Sequence, residues 1–387
     1  MAPPLSTTTL HDSATGLTAY VVTDSLIDGK AMGGLRMTPD VSPQILAMLS
    51  RQMTLKLALH GLPIGGAKGG IVSGLPRGSR RDEVLAAFGR AVRPLLHGGI
   101  YLGSDQGINY RDRHIIFSTA DYDVKLPGGA CSWAELWDQC SLITGFGVAE
   151  AIATTTDSEP GERRRIAIHG FGSVGRGAAV HLSERGHLIV AIADRLGTMS
   201  RPQGLPLAEI TALTDATGVV DRTRLPADVR CVDDPAAVIA AEADVLVLAA
   251  VAGAVTDANV DHIRAGLVVE GANGPCTESA LTALAARKVD VIPGIVANAG
   301  GAIATGLVLT EWLPRHALSS EAQPGPEHRT RAAKVFAEIL HAEVARRIRS
   351  AGREVAERTT TGITPHEAAE RLAQENATPN HPSLLND

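Results

Sequence analysis

Cysteine is scarce in this chain and follows no pattern. The four cysteines, Cys131, Cys140, Cys231 and Cys276, show no C-x-x-C spacing, which excludes a zinc ribbon or a disulfide framework as the organising device. No basic block exists beyond short clusters such as Arg163 to Arg165, and the formal net charge is −6. Nucleic acid is therefore not an expected partner. No apolar run reaches the roughly 20 residues that a membrane-spanning helix needs. The start, MAPPLSTTTL, has neither the charged nor the apolar region of a signal peptide, so a cytoplasmic location is expected. Internal repeats and low-complexity segments are also absent. What remains is the composition of an ordinary globular protein, 44% hydrophobic and 20% charged over 387 residues. That length suits two or three domains, each with a sizeable core.

The clearest signal lies in the middle, from Arg165 to Asp194. An apolar, strand-type run at Ile166 to His169 is followed by Gly170, Gly172 and Gly175 in G-x-G-x-x-G spacing, with Ser173 and Val174 between the last two. This is the pattern of a nucleotide-binding βαβ turn. In it Gly170 makes the tight turn, Gly172 admits a pyrophosphate to the backbone, and Gly175 lets the helix pack closely on the strand. The free N–H groups and positive dipole end of that helix would face the phosphates. Ala178, Ala179 and Leu182 would cover the sheet until Gly186 stops the helix. A second apolar run, Leu188 to Ala193, ends at Asp194, about 20 residues past the last glycine, where an acidic side chain takes a ribose 2′-hydroxyl. The carboxylate favours NAD by repelling a 2′-phosphate, whereas Arg195 beside it would tolerate one.

Toward the N-terminus, Leu17 to Val22 alternates as a strand does, and Gly29 breaks it. The stretch AMGGLRM, residues 31–37, leaves Gly33 and Gly34 bare beside Arg36. It is either a tight turn or a wall that a substrate can approach. Ser42 and Pro43 read as the N-cap and first position of a helix reaching His60, with Gly61 as its stop. Met53, Lys56, Leu57 and His60 share one face of that helix, where Lys56 is either snorkelling or functional. The segment GLPIGGAKGG, residues 61–70, then sets Lys68 in a loop between two glycine pairs, without the GK[ST] core of a phosphate-binding loop. Lys56 and Lys68 could converge on one pocket. There each would disfavour the other's charge, and burial would lower a pKa toward the range a general base needs. A solvated flexible loop is the plainer account of Lys68.

Ser79 to Leu96 reads as a helix capped by Ser79, and Ile100 to Leu102 as a short strand leading into Gly103-Ser104-Asp105-Gln106-Gly107. Asp105 there is a turn aspartate or an acid/base residue. Tyr110 to Gly129 looks polar and irregular. A helix is expected from Trp133 to about Ala153, holding Thr144-Gly145-Phe146-Gly147 in its middle, followed by a turn at Asp157 to Gly161. Beyond Asp194, the runs Val245–Leu248, Leu267–Val269 and Val289–Ile292 alternate with helical stretches, which predicts a doubly wound parallel sheet. Ala249-Ala250 and Gly271-Ala272-Asn273-Gly274 follow two of these strands as candidate cofactor contacts. Ala297 to Gly301 opens a helix running to Trp312, and Asn298 in it suits a carboxamide or an α-carboxylate. Pro314 and Gln323 to Pro326 mark a boundary. Two helices should follow, from about Thr330 to Ser350 and from Thr364-Pro365, before a frayed tail from Asn376.

Taken together, GGLRM at 33–37, MTLK at 53–56, GGAKGG at 65–70, GSDQG around Asp105, TGFG at 144–147, GFGSVG at 170–175, EGANGP at 270–275 and NAGG at 298–301 resemble the glutamate/leucine/phenylalanine/valine dehydrogenase family. The resemblance runs over nearly the whole chain and is nearest to the leucine, valine and phenylalanine branch. It implies reversible oxidative deamination of an L-amino acid to its 2-oxo acid and ammonia, with hydride passing to the nicotinamide. It also implies a two-domain α/β fold. Residues 1–132, completed by C-terminal helices in 325–387, would form an α/β substrate and oligomerisation domain. Residues 133–324 would form a Rossmann doubly wound NAD-binding domain, and the two would close on one another.

The roles that the resemblance implies are as follows. Lys56 holds the substrate α-carboxylate, with Gly33, Gly34 and Met53 close by. Lys68, at lowered pKa, activates the water that attacks the iminium carbon, and Asp105 shuttles protons at the substrate nitrogen. Asn298 touches substrate or nicotinamide, and Thr144 lies near the nicotinamide amide. No metal is involved, and a homo-oligomer is expected. Glutamate-specific members carry a lysine immediately before GGLR where this chain has Met32, so a substrate carboxylate would be desolvated without a partner. Ala302 and Thr305 would line the end of the substrate side chain, the first leaving room and the second polar. A branched-chain substrate is expected first, an aromatic one next. Gln106 and Ile108 after Asp105 depart from the family pattern of an apolar residue, Gly and Thr, and Lys30 stands where proline is common. These departures keep open a specialised imine or oxo-acid reductase acting on a nonstandard substrate. A noncatalytic NAD-responsive protein is opposed by the joint presence of Lys56, Lys68 and Asp105.

Overall fold

The computed structural model describes residues 3–155, 163–215, 217–313, 325–360 and 362–377. The turn expected at 157–161, the boundary at Pro314 and Gln323, and the tail beyond Ala377 lie outside the described residues. The chain forms two compact units, one of Met1–Trp137, Thr305–Phe336 and Ala373–Asp387, the other of Asp138–Ala304 and Ala337–Leu372.

The first unit contains β1 (Ser6–Asp12), β2 (Leu17–Thr23), β3 (Ala31–Thr38), α1 (Pro43–Leu59), β4 (Gly65–Val72), α2 (Ser79–His97), β5 (Ile100–Ser104), α3 (Tyr110–Thr119) and most of α4 (Trp133–Gln139). Its sheet has the order β1-β2-β4-β3-β5. β1, β2 and β4 run antiparallel in turn, while β3 lies parallel to both β4 and β5. Three expectations are corrected here. AMGGLRM is not a tight turn but lies in the sheet strand β3. Lys68 lies not in a loop but in β4, opposite Val22 of β2, and is only 4% exposed. The glycines around it serve packing: a Cβ on Gly33 would overlap the Ala67 carbonyl, and one on Gly66 would overlap Thr54 of α1. Residues 110–119, read as irregular, form a helix because Asn109 and Asp112 make a reciprocal capping box at its start. Phe117 on that helix then stacks edge-on against Tyr101 at 5.9 Å.

The second unit contains α5 (Ile143–Ile152), β6 (Arg165–His169), α6 (Ser173–Glu184), β7 (Leu188–Asp194), β8 (Gly197–Ser200), α7 (Leu207–Ala212), β9 (Arg230–Val232), β10 (Val245–Leu248), β11 (Leu267–Glu270), α8 (Glu278–Ala286), β12 (Asp290–Ile292) and α9 (Gly294–Ala297). α10 (Gly300–Leu309), α11 (Pro326–Arg358) and α12 (Pro365–Asn376) each contribute residues to both units. The sheet order is β12-β11-β10-β6-β7-β8-β9. Strands β12 to β7 are parallel, as the buried apolar runs predict, and β8 and β9 extend the edge antiparallel. The helix expected over 133–153 is two helices. Trp133 of α4 stacks on Tyr101 at 6.3 Å, whereas Gly145 of α5 lies so close to α6 that a Cβ would overlap the Ala178 nitrogen. The units therefore divide after Trp137 rather than after residue 132. The C-terminal helices do not fall wholly to the first unit either, because Ile348 and Arg349 of α11 pack on Gly147 and bond Glu150 of α5.

Candidate active site

In the first unit, the residues expected to carry chemistry meet on three neighbouring elements. Ser42 caps α1 by accepting the Ile45 N–H at 3.3 Å, with Pro43 at the first position. Near the other end of α1, the Thr54 hydroxyl donates to Asp24 at 2.6 Å and lies 2.9 Å from the Ser25 hydroxyl, which accepts the Gly66 N–H at 3.2 Å. These bonds fix α1 on β4. Lys56 is thereby buried at 7% exposure near Lys68. Burial, then the Lys68 charge, outweigh the attraction of Asp105 and lower the Lys56 ammonium from 10.5 to about 8.

Lys68 reaches the Asp105 carboxylate at 2.8 Å, and Arg36 reaches the same oxygen at 3.3 Å. Burial raises the Asp105 carboxyl, but the Lys68 charge and hydrogen bond, with Arg36 and the Gln106 N–H, prevail and hold it below the ordinary carboxylate range. Gly34 makes the meeting possible, since a Cβ there would sit 2.7 Å from the Asp105 Cβ and 3.2 Å from the Lys68 ammonium. Met32 is buried at 3% exposure. Gly306 of α10 packs beside it, at a distance where a Cβ would lie 3.6 Å from the Met32 sulfur and 3.1 Å from Leu62. Thr305 is buried in the same turn, and the Lys30 ammonium caps the end of α10 by donating to the Leu309 carbonyl at 3.0 Å. Met53 is half-buried on α1.

In the second unit, the glycine fingerprint has the geometry that a dinucleotide requires. Gly170 adopts φ +100°, and a Cβ on it would press on Ala250 at 2.7 Å. A Cβ on Gly175 would overlap the Gly170 carbonyl, while one on Gly172 would meet nothing within 4 Å. Gly172 is the N-cap of α6, and among the described residues no side chain caps the helix. The uncapped N–H groups and the open space together fit a pyrophosphate. Ser173 is exposed and Val174 partly so. Gly170, Ala249, Ala250 and Asn273 follow the carboxyl ends of β6, β10 and β11, and the connections diverge on the two sides of β6. That is the usual place for a ligand on such a sheet.

Asn298 is buried, and its amide donates to the Ala272 carbonyl at 3.0 Å and to the Glu270 carbonyl at 3.4 Å. Thr144 lies beside Gly300, where an added Cβ would come within 3.1 Å of the Thr144 Cα. Ala302 is partly exposed on α10. Asp194 ends β7 as expected, but its carboxylate is already committed. It accepts from Leu196 N–H at 2.8 Å, Val220 N–H at 2.9 Å, and both terminal nitrogens of Arg222 at 2.6 and 3.1 Å. Four bonds fill the lone pairs of a carboxylate, so a ribose hydroxyl could join only by displacing one. Arg195, next in the chain, is exposed, and Asp215 feels its charge. Sequence reasoning did not find Arg222, because it lies 28 residues from its partner with no periodic signal linking them.

Comparison with known proteins agrees with this arrangement. The sequence model of the glutamate/leucine/phenylalanine/valine dehydrogenases matches residues 141–375, and that of the Glu/Leu/Phe/Val dehydrogenase dimerisation domain matches residues 6–121. An NADP(+)-dependent glutamate dehydrogenase of Pyrobaculum calidifontis is 36% identical over 74% of this chain and 70% of its own. The NAD-specific glutamate dehydrogenase A of Halobacterium salinarum is 32% identical over 76% of this chain and 68% of its own. Among solved structures, the hetero-hexameric glutamate dehydrogenase of Thermus thermophilus in a leucine-bound form is 27% identical, with a TM-score of 0.74, over 96% of this chain and 87% of that one.

Proposed function

Because the chain belongs to the glutamate/leucine/phenylalanine/valine dehydrogenase family, we propose that it catalyses the reversible, NAD-dependent oxidative deamination of an apolar L-amino acid, branched-chain or aromatic, to the 2-oxo acid and ammonia. The observation that carries the reading is the cluster of Lys56, Lys68 and Asp105 on α1, β4 and the end of β5. The Lys56 ammonium holds the substrate α-carboxylate. Lys68 first passes a proton to the Asp105 carboxylate, 2.8 Å away; its free amine then takes one from the water that attacks the substrate's iminium carbon, and Asp105 delivers its proton to the substrate nitrogen. When bound, the nicotinamide cofactor supplies the hydride acceptor. Gly170, Gly172 and Gly175 would hold its pyrophosphate on α6, and Thr144, Asn273 and Asn298 its nicotinamide half.

NAD is proposed on charge. Arg222 is matched by Asp194, and the Asp194 carboxylate at the strand end disfavours a 2′-phosphate there, although the exposed Arg195 beside it would tolerate one. Asp194 then acts through its charge and its hold on Arg222 rather than by a direct bond to the ribose. The apolar substrate is proposed on Met32, buried against the glycine of α10. The relatives above are named as glutamate dehydrogenases, so this reading departs from their named substrate. The match of residues 6–121 to the family's dimerisation domain supports a homo-oligomer.

The test is NADH formation from a panel of L-amino acids at alkaline pH, with NAD and NADP run in parallel. Valine, leucine or phenylalanine should react and glutamate should not. Lys68→Ala should lose activity by about 100-fold or more while NADH still binds, and full retained activity would sink the assignment. The departure from the family pattern at Gln106 and Ile108, beside Asp105, favours a second reading, the specialised reductase. Silence across the panel with NADH binding intact would select it.

A further inference from the structure

Arg81 in α2 and Asp112 in α3 are 8% and 2% exposed, and they form an ion pair at 2.9 Å. The same guanidinium donates through Nη1 to the Leu75 carbonyl at 3.0 Å and through Nη2 to the Gly107 carbonyl. Asp112 in turn accepts the Asn109 N–H at 3.1 Å, and the Asn109 side chain accepts the Asp112 N–H at 2.9 Å. One buried cation thus ties together the segment before α2, the turn after β5 and the start of α3.

That turn carries Asp105. Along its other side it is bonded to β3: the Asp105 N–H donates to Leu35 at 3.1 Å, and the Met37 N–H donates to the Gln106 carbonyl at 2.9 Å. The Ile108 N–H closes it on the Asp105 carbonyl at 3.0 Å. Gly107 takes φ +80°, and a Cβ there would overlap the Met37 carbonyl. The turn is therefore gripped by β3 on one side and by Arg81 on the other, with the Asp105 carboxylate projecting onto Lys68 and Arg36.

We propose that Arg81 is a positioning residue for Asp105, holding the 105–109 turn through the Gly107 carbonyl and the Asp112 cap so that the Asp105 carboxylate stays on Lys68. This rests on the proton-relay role proposed for Asp105. The fork serves Leu75 from one nitrogen and Gly107 and Asp112 from the other, a fixed span that the single nitrogen of an ammonium does not offer. A displacement of about 1 Å at a reacting group can cost on the order of 100-fold in rate, so a loosened turn is felt in turnover. Beside the guanidinium, an open pocket of about 360 Å³ lined by Leu75, Pro76, Arg77 and Asn109 gives a small planar cation access from solvent.

The experiment compares wild type, Arg81→Ala with and without millimolar guanidinium, and Arg81→Met/Asp112→Asn, which removes both buried charges yet keeps an acceptor for the Asn109 N–H. The expected result is a kcat at least tenfold lower, with KM for the amino acid and Kd for NADH within twofold of wild type. The acid limb of the kcat profile should move to higher pH, because Asp105 loses its contact with Lys68, and guanidinium should restore part of the kcat of Arg81→Ala while urea does not. Should Arg81→Ala not fold, the double variant carries the kinetic comparison. A folded double variant with wild-type kcat and pH profile would overturn the proposal, even if it melted lower. If wild type itself turns over no amino acid, the functional reading fails separately. Amide exchange then decides for the clamp: faster exchange at Gln106 to Ile108 in the double variant upholds it, and unchanged exchange removes it.

Discussion

Lys56 shows how far burial, with a like charge beside it, can set a residue's chemistry. Its ammonium, lowered from 10.5 to about 8, is charged below that pH and neutral above it in the ligand-free protein. If it holds the α-carboxylate, the KM for a 2-oxo acid, measured in reductive amination at saturating ammonia, should be flat below about pH 8 and rise above it. Lys56→Arg, whose charge does not titrate in this range, should abolish the rise, and a persistent rise would assign it to another group. Stability should respond in the same window. The folded pKa lies below the unfolded one, so the unfolded chain binds more protons between pH 8 and 10.5 and stability increases as pH rises through that interval. Relative to Lys56→Met, the gain is on the order of 3 kcal/mol, readable from urea midpoints at the two ends. Met32 gives a second residue-scale expectation. Met32→Lys puts a cation where a side-chain carboxylate would end, so glutamate kcat/KM should rise at least tenfold as that for leucine falls. A wild type that already prefers glutamate would remove Met32 from the account.

At the scale of elements, the two glycines at the start of α6 should separate binding from folding. Gly172 has open space at its Cβ position and an ordinary extended backbone at φ −73°. Gly172→Ala should leave Tm within about 2 °C of wild type yet weaken NADH at least tenfold, by occupying the place of the phosphate. In Gly175→Ala the new Cβ meets the Gly170 carbonyl, and Tm should fall by roughly 5 °C or more. Equal effects on Tm would mean that Gly172 has only a packing role. This element was legible in the sequence because strand, turn and helix follow one another within 30 residues and each glycine has its own steric duty. β4 was not legible. Its glycines, which suggest a loop when read one by one, are there so that β3 and α1 can approach from two sides, and those neighbours are distant in sequence. α3 was missed for a related reason: its apolar face is short, and its start depends on Asn109 and Asp112 closing on one another. The Asp194–Arg222 pair, equally non-local, is why the acid could be located from sequence while its occupation could not.

For the whole molecule, the sheet of the first unit poses a question that one chain leaves unanswered. Among the described residues β1 is paired with β2 on one side only, and Ser6, Thr7, Thr9 and His11 along it are exposed, preceded by Leu5 at 60% exposure. An open strand edge is a template for pairing with another chain unless something covers it. It falls inside the residues matched by the family's dimerisation domain, which makes association through this unit the expected state. Sedimentation should then find a multiple of the 40.3 kDa chain. Tm should climb with protein concentration, because assembly stabilises the folded chain by mass action. Proline placed singly at Thr8 and at Thr9 discriminates further. Successive residues of a strand point their N–H groups to opposite sides, so one of the two variants loses an outward N–H without disturbing the bond to β2. That variant should dissociate at concentrations where wild type does not, while still binding NADH. A wild-type chain that sediments at 40.3 kDa over the whole range would show that the edge is left to solvent.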